Sequence, residues 1–177
     1  MKRKLKVNDF FCGCGGMGIA FKNAGYEIAG AWDFDKYAVE SYRANVGDHV
    51  QKADIKELHQ ADIPQADVWA FGFPCQDLSV AGKQTGLDGS RSGLFMEAVR
   101  ITREMREKTN GQYPKYIIWE NVAGAFSSNK GEDFRRVLEE ITQSNISMPK
   151  SGKWATAGMV GNEGPGGGRS VYRMAIA

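Results

Sequence analysis

Residue types that can do chemistry recur in this 177-residue chain wherever an apolar run ends. The run at 67–72 leads into Gly72-Phe73-Pro74-Cys75-Gln76, a thiol held by a stiff proline and followed by a polar stretch. A thiolate is a strong nucleophile, and local positive charge or a helix N-terminus lowers its pKa from ~8.5. A purely structural cysteine would more typically lie mid-strand among apolar neighbours. The run at 116–119 ends in Glu120-Asn121-Val122. A carboxylate there carries a desolvation cost unless it finds a partner, and a helix N-cap at Glu120 or Asn121 is the plainer alternative. Asp33 closes the run at 26–32, and Asp54-Ile55 closes the run at 49–53. At the end of Asp54's run an acid could accept from an amino group while its apolar neighbour covers a ring. An N-cap for the turn at 56–58 explains Asp54 equally well.

The first run opens into Gly13-x-Gly15-x-x-Gly18, with Asp33 near the spacing expected of a ribose-binding acid. Glycines let the backbone turn tightly and approach a ligand, and the acid accepts hydrogen bonds from ribose hydroxyls. Nicotinamide cofactors and S-adenosylmethionine both suit this fingerprint, and a purely structural glycine turn is a third explanation.

Elements that could bring these residues together follow from the alternation of short apolar runs with helical patterns. Strands are expected at 5–11, 26–32, 49–53, 67–72 and 116–119, the last of them buried. Helices are expected at 19–23, at 36–45 behind an N-cap at Asp35, along the stripe Leu94, Ala98, Ile101 and Met105, and around Phe134, Val137, Leu138 and Ile141. The class is α/β, a doubly wound, mostly parallel, Rossmann-like sheet. In such a sheet ligands bind outside the carboxyl ends of the strands, so Asp33, Asp54, Cys75 and Glu120 are expected to face one cleft. Residues 73–92 read as a long functional loop. Beyond about residue 144 the pattern weakens into GNEGPGGGRS, which divides the chain into a catalytic and cofactor-binding part, 1–144, and a glycine-rich segment, 145–177.

Composition excludes several classes. Hydrophobic residues at 42% and charged residues at 25% are ordinary for a globular domain, which rules out a disordered, collagen-like or coiled-coil chain. Glycine is in excess, 22 of 177 residues, about 12% against a usual ~7%. No run of ~18 apolar residues exists, so no membrane partner is expected, and the glycines after Asp9 break any signal-like core. Three cysteines without a signal read as reduced thiols, giving an expected cytoplasmic location. Cys12-x-Cys14 is poor zinc spacing and no metal is expected. His49 and His59 read as surface residues. A net charge of +2 does not by itself announce nucleic acid, and the basic runs near the start and around 83–106 read as solvated faces.

In combination the motifs resemble the cytosine-5 DNA methyltransferases. The elements are FCGCGG, WDFDKYA, ADI, GFPCQDLSVAGKQTGLDGSRSGLF and WENVAG, in the family's order and spacing over roughly residues 7–124. The resemblance implies that Cys75 attacks carbon 6 of a cytosine flipped out of double-stranded DNA and that Glu120 holds the base at ring nitrogen 3. Carbon 5 would then take a methyl group from S-adenosylmethionine. It further implies Phe11 against the cofactor adenine and Gly13, Gly15 and Gly16 at the methionine end, with Cys12 and Cys14 beside them. Asp33 would serve the ribose hydroxyls in place of the family's usual Glu. Phe34 would stand at a position often held by Trp, Asp54 and Ile55 against adenine, and Pro74 and Leu94 along the pocket. Gln76, Ser79 and Arg91 would contact DNA. The family's Gln-x-Arg-x-Arg element has no counterpart, because Arg169-Ser-Val-Tyr-Arg173 has the wrong spacing and no Gln. The chain is therefore expected to be the catalytic core of a longer enzyme of the bacterial or phage modification type: a truncated piece, a degraded gene product, or one subunit of a split enzyme that a complementing C-terminal chain would complete. Two other functions fit parts of the sequence: a catalytically silent DNA- or partner-binding module of the same fold, and an NAD-dependent oxidoreductase. The second leaves Cys75 and Glu120 without an account.

Overall fold

The computed structural model describes residues 3–73, 93–120, 123–154, 157–163 and 169–175. Contacts divide the chain into two compact units, one of residues 1–74 with 93–121 and one of residues 75–92 with 122–177.

In the first unit strands alternate with helices. They are β1 (Lys6–Phe10), α1 (Gly16–Asn23), β2 (Glu27–Asp33), α2 (Lys36–Asn45), β3 (Val50–Lys52), β4 (Val68–Gly72), α3 (Gly93–Lys108) and β5 (Tyr116–Glu120). All five strands pair in parallel, in the order β3-β2-β1-β4-β5. Parallel neighbours need crossover connections, and right-handed crossovers leading outward in opposite directions place α1 and α2 on one face and α3 on the other. The order reverses between β1 and β4, and the carboxyl ends of the strands at such a switch point form the usual ligand crevice. The doubly wound α/β class read from the sequence is the fold observed.

Local sequence explains the helices that frame this crevice. Asp35 caps α2 as its type and position predict, accepting from Tyr37 N at 2.7 Å and Ala38 N at 3.0 Å. Those bonds hold the Asp35 carboxyl below the usual carboxylate range. Val39 and Tyr42 turn inward to join Cys12, Ala31, Val46 and Val50 in a buried cluster. On α3 the expected stripe is buried at Ala98, Ile101 and Met105, while Leu94 at its start is only partly covered. Arg100 bonds Glu97 and Glu104 along the helix and reaches the backbone oxygens of Ile55 and Leu58, tying α3 to the segment that follows β3. At the opposite end of the sheet the fully buried Asp67 binds Arg3, Lys115 and the Lys6 amide, which hold its carboxyl down at about 2. Arg3, Lys6 and Arg100 are thus committed to ion pairs within the fold.

Three expectations are corrected. β5 is not a buried strand: Tyr116 is 60% exposed and Ile118 40%. It lies at the edge of the described sheet, and an apolar run by itself does not separate an edge strand from a central one. His49 is half-buried and pairs with the Tyr42 hydroxyl at 3.2 Å, so only His59 is a plain surface residue. The glycine-rich end forms elements. In the second unit the described elements are two short 3-10 turns (Ala123–Phe126 and Ser128–Gly131), α4 (Glu132–Thr142), β6 (Ala157–Glu163) and β7 (Arg169–Ala175). β6 and β7 make an antiparallel hairpin running from Ala157↔Ala175 to Glu163↔Arg169. α4 buries Phe134, Val137 and Leu138 as its spacing predicts, and Trp154 Nε1 donates to Gly131 O at 2.8 Å.

Candidate active site

The carboxyl ends of β1, β2 and β3, together with the start of α3, enclose a cavity of about 380 Å³. Its lining combines apolar surface from Phe10, Trp32, Phe34, Ile55, Leu58 and Leu94 with the carboxyls of Asp33 and Asp54. Phe11, Asp35, Ala53 and Lys56 complete it. That volume is within the usual range of about 300–1,000 Å³ for small-molecule sites. The floor is a stack of aromatic rings. Phe10 lies 4.8 Å from Trp32 at 16° and 4.8 Å from Phe71 at 13°.

Backbone strain shapes the wall. Phe11 adopts φ 55°, unusual for a bulky residue, at the point where β1 becomes the glycine turn. Its ring packs on Phe73, 5.0 Å between centroids. Gly13 and Gly15 follow with φ 53° and 96°. Asp33 ties this turn to β2: one carboxylate oxygen accepts from Gly13 N at 2.9 Å and the other from Asp35 N at 2.9 Å. An ionised carboxylate has about four lone-pair sites, so Asp33 keeps room for the two hydroxyls of a ribose. Asp54 accepts from Lys56 N at 3.0 Å and also lines the cavity. The cap and the ligand-facing role expected of it as alternatives are compatible. Phe34, 69% exposed, stands at the rim. The chemistry of the set suits an aromatic base carrying a ribose.

Of the residues singled out in the sequence, Phe11, Asp33, Phe34, Asp54, Ile55 and Leu94 meet at this one cavity. Gly13, Gly15 and Gly16 form the turn beside it. Phe10, Trp32, Leu58 and Lys56 are additions that sequence reasoning missed. Pro74, Cys75, Gln76, Ser79 and Arg91 lie outside the described residues, as do Asn121 and Val122. Glu120 ends β5 opposite Gly72. A Cβ built on Gly72 would stand 3.5 Å from Phe11 O and 3.9 Å from Glu120 Oε2, so the carboxylate hangs beside the ends of β1 and β4. Glu120 is exposed there, which corrects the expectation of a desolvated acid. Cys12 is also misplaced in that expectation, since its side chain is buried in the core cluster under α2 instead of facing the cavity. Burial, with help from Asp9 and Asp33, pushes its thiol well up. Cys14 is exposed. Among the described residues no group of three His, Cys, Asp or Glu could hold a metal ion, and no helix is long and apolar enough to cross a membrane.

Asp9, which the sequence reading passed over as a site, lies at the middle of β1 between Ala31 and Ala70 and is fully buried. Neither of its carboxyl oxygens has a hydrogen-bond partner. Desolvation first, and then the charge of Asp33, push this carboxyl up to about 7. An acid that holds its proton more tightly in the folded chain than in the unfolded one lowers stability as pH rises through the interval between its two pKa values. That interval runs here from about 4 to about 7, at about 1.4 kcal/mol per unit, and the loss levels off above it. Asp9→Asn should remove this loss. Urea midpoints at about pH 4.5 and about pH 8 should differ less in the variant than in the unmodified chain. An unchanged difference would show that Asp9 titrates like an ordinary carboxylate.

The chain is similar to known proteins. A family model described as C-5 cytosine-specific DNA methylase matches residues 5–147. The chain is 37% identical over 140 residues to the type II methyltransferase M.NgoFVII of Neisseria gonorrhoeae, a match covering 78% of this chain and 36% of that protein. It is 34% identical over 144 residues to the type II methyltransferase M.HhaI of Haemophilus parahaemolyticus, covering 81% and 42%. Among solved structures, the Dnmt2 methyltransferase of S. pombe superposes with a TM-score of 0.59 at 28% identity, over 77% of this chain and 42% of that one. The chain thus spans about two-fifths of the length of these relatives.

Proposed function

The chain belongs to the C-5 cytosine-specific DNA methylase family, and from that premise we propose that it carries the cofactor-binding and nucleophile-bearing part of an enzyme that methylates carbon 5 of cytosine in double-stranded DNA. The observation that carries this reading is the meeting of Phe11, Asp33, Phe34, Asp54, Ile55 and Leu94 around one cavity at the carboxyl ends of β1, β2 and β3. S-adenosylmethionine, when bound there, supplies the methyl group. Asp33 accepts from its ribose hydroxyls, Asp54 from its adenine amino group, and Phe11, Phe34 and Ile55 cover the ring. The glycine turn gives the methionine end backbone instead of side chains to pass.

Toward the base, the thiolate of Cys75 forms a bond to carbon 6 of a flipped cytosine while Glu120 gives a proton or a strong hydrogen bond to ring nitrogen 3. That proton makes an otherwise poor electrophile attackable, and the electron pair pushed onto carbon 5 accepts the methyl group. Loss of the carbon-5 proton to water and return of the nitrogen-3 proton to Glu120 then expel the thiolate and restore the ring. Gln76, Ser79 and Arg91 contact the DNA around the extruded base. The recognition of the DNA sequence around the target, and further contacts to the flipped base beside that of Glu120, come from a complementing C-terminal portion. The bacterial and phage relatives support a cytoplasmic place of action on the host's DNA.

Calorimetric titration tests the cofactor reading. S-adenosylmethionine should bind and NAD should not. Asp33→Ala should weaken binding roughly 5- to 150-fold, the loss of about 1–3 kcal/mol expected when a charged hydrogen-bond partner is removed. NAD binding in place of S-adenosylmethionine would overturn the cofactor reading.

A further inference from the structure

We propose that Arg100 is a positioning residue for the methyl donor: its guanidinium fixes the spacing between the start of α3 and the turn after β3, and so the fit of the apolar wall against adenine. The inference rests on the cofactor reading above and deepens it, naming a group that shapes the site without lining it.

Two pieces of chain form that wall. Leu94 comes from the first turn of α3, and Ile55 and Leu58 come from the turn that follows β3. The sheet does not hold this turn, because residues 53–67 contain no strand or helix. Bonds from Glu57 N to Asp54 O at 3.0 Å and from Leu58 N to Ile55 O at 3.3 Å shape it only locally. Arg100 supplies the tie across to α3. Its Nη2 donates to Leu58 O at 2.9 Å and to Ile55 O at 3.2 Å, the carbonyls of two cavity-lining residues. Glu97 accepts from Nε at 2.6 Å and Glu104 from Nη1 at 2.7 Å, so the guanidinium is gripped in one orientation where it reaches across. Glu104 adds a bond to the same stretch, accepting from Gln60 N at 3.3 Å. Leu94 lies less than two turns before Arg100 on the same helix, so the two walls are referred to one head group.

Ion pairs along one helix contribute little on their own. These bonds differ because two of the four leave the helix for another segment's backbone, and only arginine's planar fork presents donors in several directions at once. The packing of α3 is already secured by the buried Phe95, Ala98, Ile101 and Met105. What the fork adds is precision at the cavity. A gap of about 0.5–1 Å between an apolar wall and the ring it covers forfeits a quarter to a half of the dispersion contact. A turn held only by its own short bonds would open by such a distance readily.

The test is calorimetric titration of the whole chain with S-adenosylhomocysteine, with urea midpoints measured on the same variants. Arg100→Met keeps the alkyl stem and removes every donor, and Arg100→Lys keeps the charge and removes the fork. Both should weaken binding, Arg100→Met the more, by roughly 2- to 30-fold, the range for residues that act on a site through others. The loss should shrink in a Leu94→Ala background, where the wall is already incomplete. It should persist in full beside Asp33→Ala, because Asp33 holds the ribose from β2 independently. A role in stability alone would lower the urea midpoint and leave the affinity of the folded chain unchanged, and that result would overturn the assignment. Equal losses in the Leu94→Ala and Asp33→Ala backgrounds would overturn it too. If Arg100→Met does not fold, the same comparisons are made with Arg100→Lys. Failure of the unmodified chain to bind S-adenosylhomocysteine would instead overturn the cofactor reading itself.

Discussion

Cys75→Ser should abolish methyl transfer, by at least on the order of 10⁴-fold as for other losses of a covalent nucleophile, and leave cofactor binding intact. The assay joins this chain to a complementing C-terminal piece and follows transfer of labelled methyl groups to DNA. A serine hydroxyl is almost never ionised at neutral pH, whereas a cysteine is a few per cent thiolate even unassisted. DNA carrying 5-fluorocytosine sharpens the test. After methyl transfer the fluorine on carbon 5 cannot leave as a cation, so the bond to carbon 6 persists and the protein stays attached to DNA. The adduct should map to Cys75. Cys12 should be silent because its thiol is buried and pushed well up, so it offers no thiolate. Cys14 is exposed but sits on the cofactor's turn. Normal turnover by Cys75→Ser, or an adduct on Cys12 or Cys14, would end the covalent mechanism.

Gly15→Val should unfold the cofactor turn and cost about 3–5 kcal/mol, from left-handed backbone strain together with overpacking. Gly15 sits at φ 96°, and a Cβ there would overlap Val46 Cγ2 and stand 3.2 Å from Tyr42 Cδ2. Both neighbours belong to the buried cluster under α2, so neither can move aside cheaply. Gly16 makes the contrast. A Cβ on it meets nothing within 4 Å and its φ is not left-handed. Gly16→Ala should therefore fold normally and lose only cofactor affinity. Denaturant midpoints for the two variants separate a glycine required by the fold from one required by the ligand. Equal stability of both would contradict this assignment.

The carboxylates at strand ends were legible in the sequence because each follows an apolar run and precedes a turn, which is where an α/β sheet puts its ligands. Asp33 and Asp54 both reach the cavity. Phe10 and Trp32 were not legible as site residues. Central parallel strands are apolar on both faces, so periodicity did not reveal which aromatic rings floor the cavity and which fill the core. Asp9 gave no signal either. Beside Asn8 it looks like an ordinary polar interruption, and its cost appears only once Ala31 and Ala70 are seen on either side of it. Cys12 was placed by its loop, but a left-handed Phe11 turns the chain so that Cys12 points into the core. The pairing of β6 and β7 was hidden because the glycine run between them in the sequence masks two short strands that are specified mainly by each other.

The methyl donor is proposed to sit in the cavity at the ends of β1, β2 and β3. A crystal structure of the chain with bound S-adenosylhomocysteine tests it directly. The adenine should lie between Phe34 and Ile55 with its amino group at Asp54, and both ribose hydroxyls should fall within hydrogen-bond distance of Asp33. Ligand density at any other place on the chain, or an adenosine in this cavity that makes no bond to Asp33, would contradict the account.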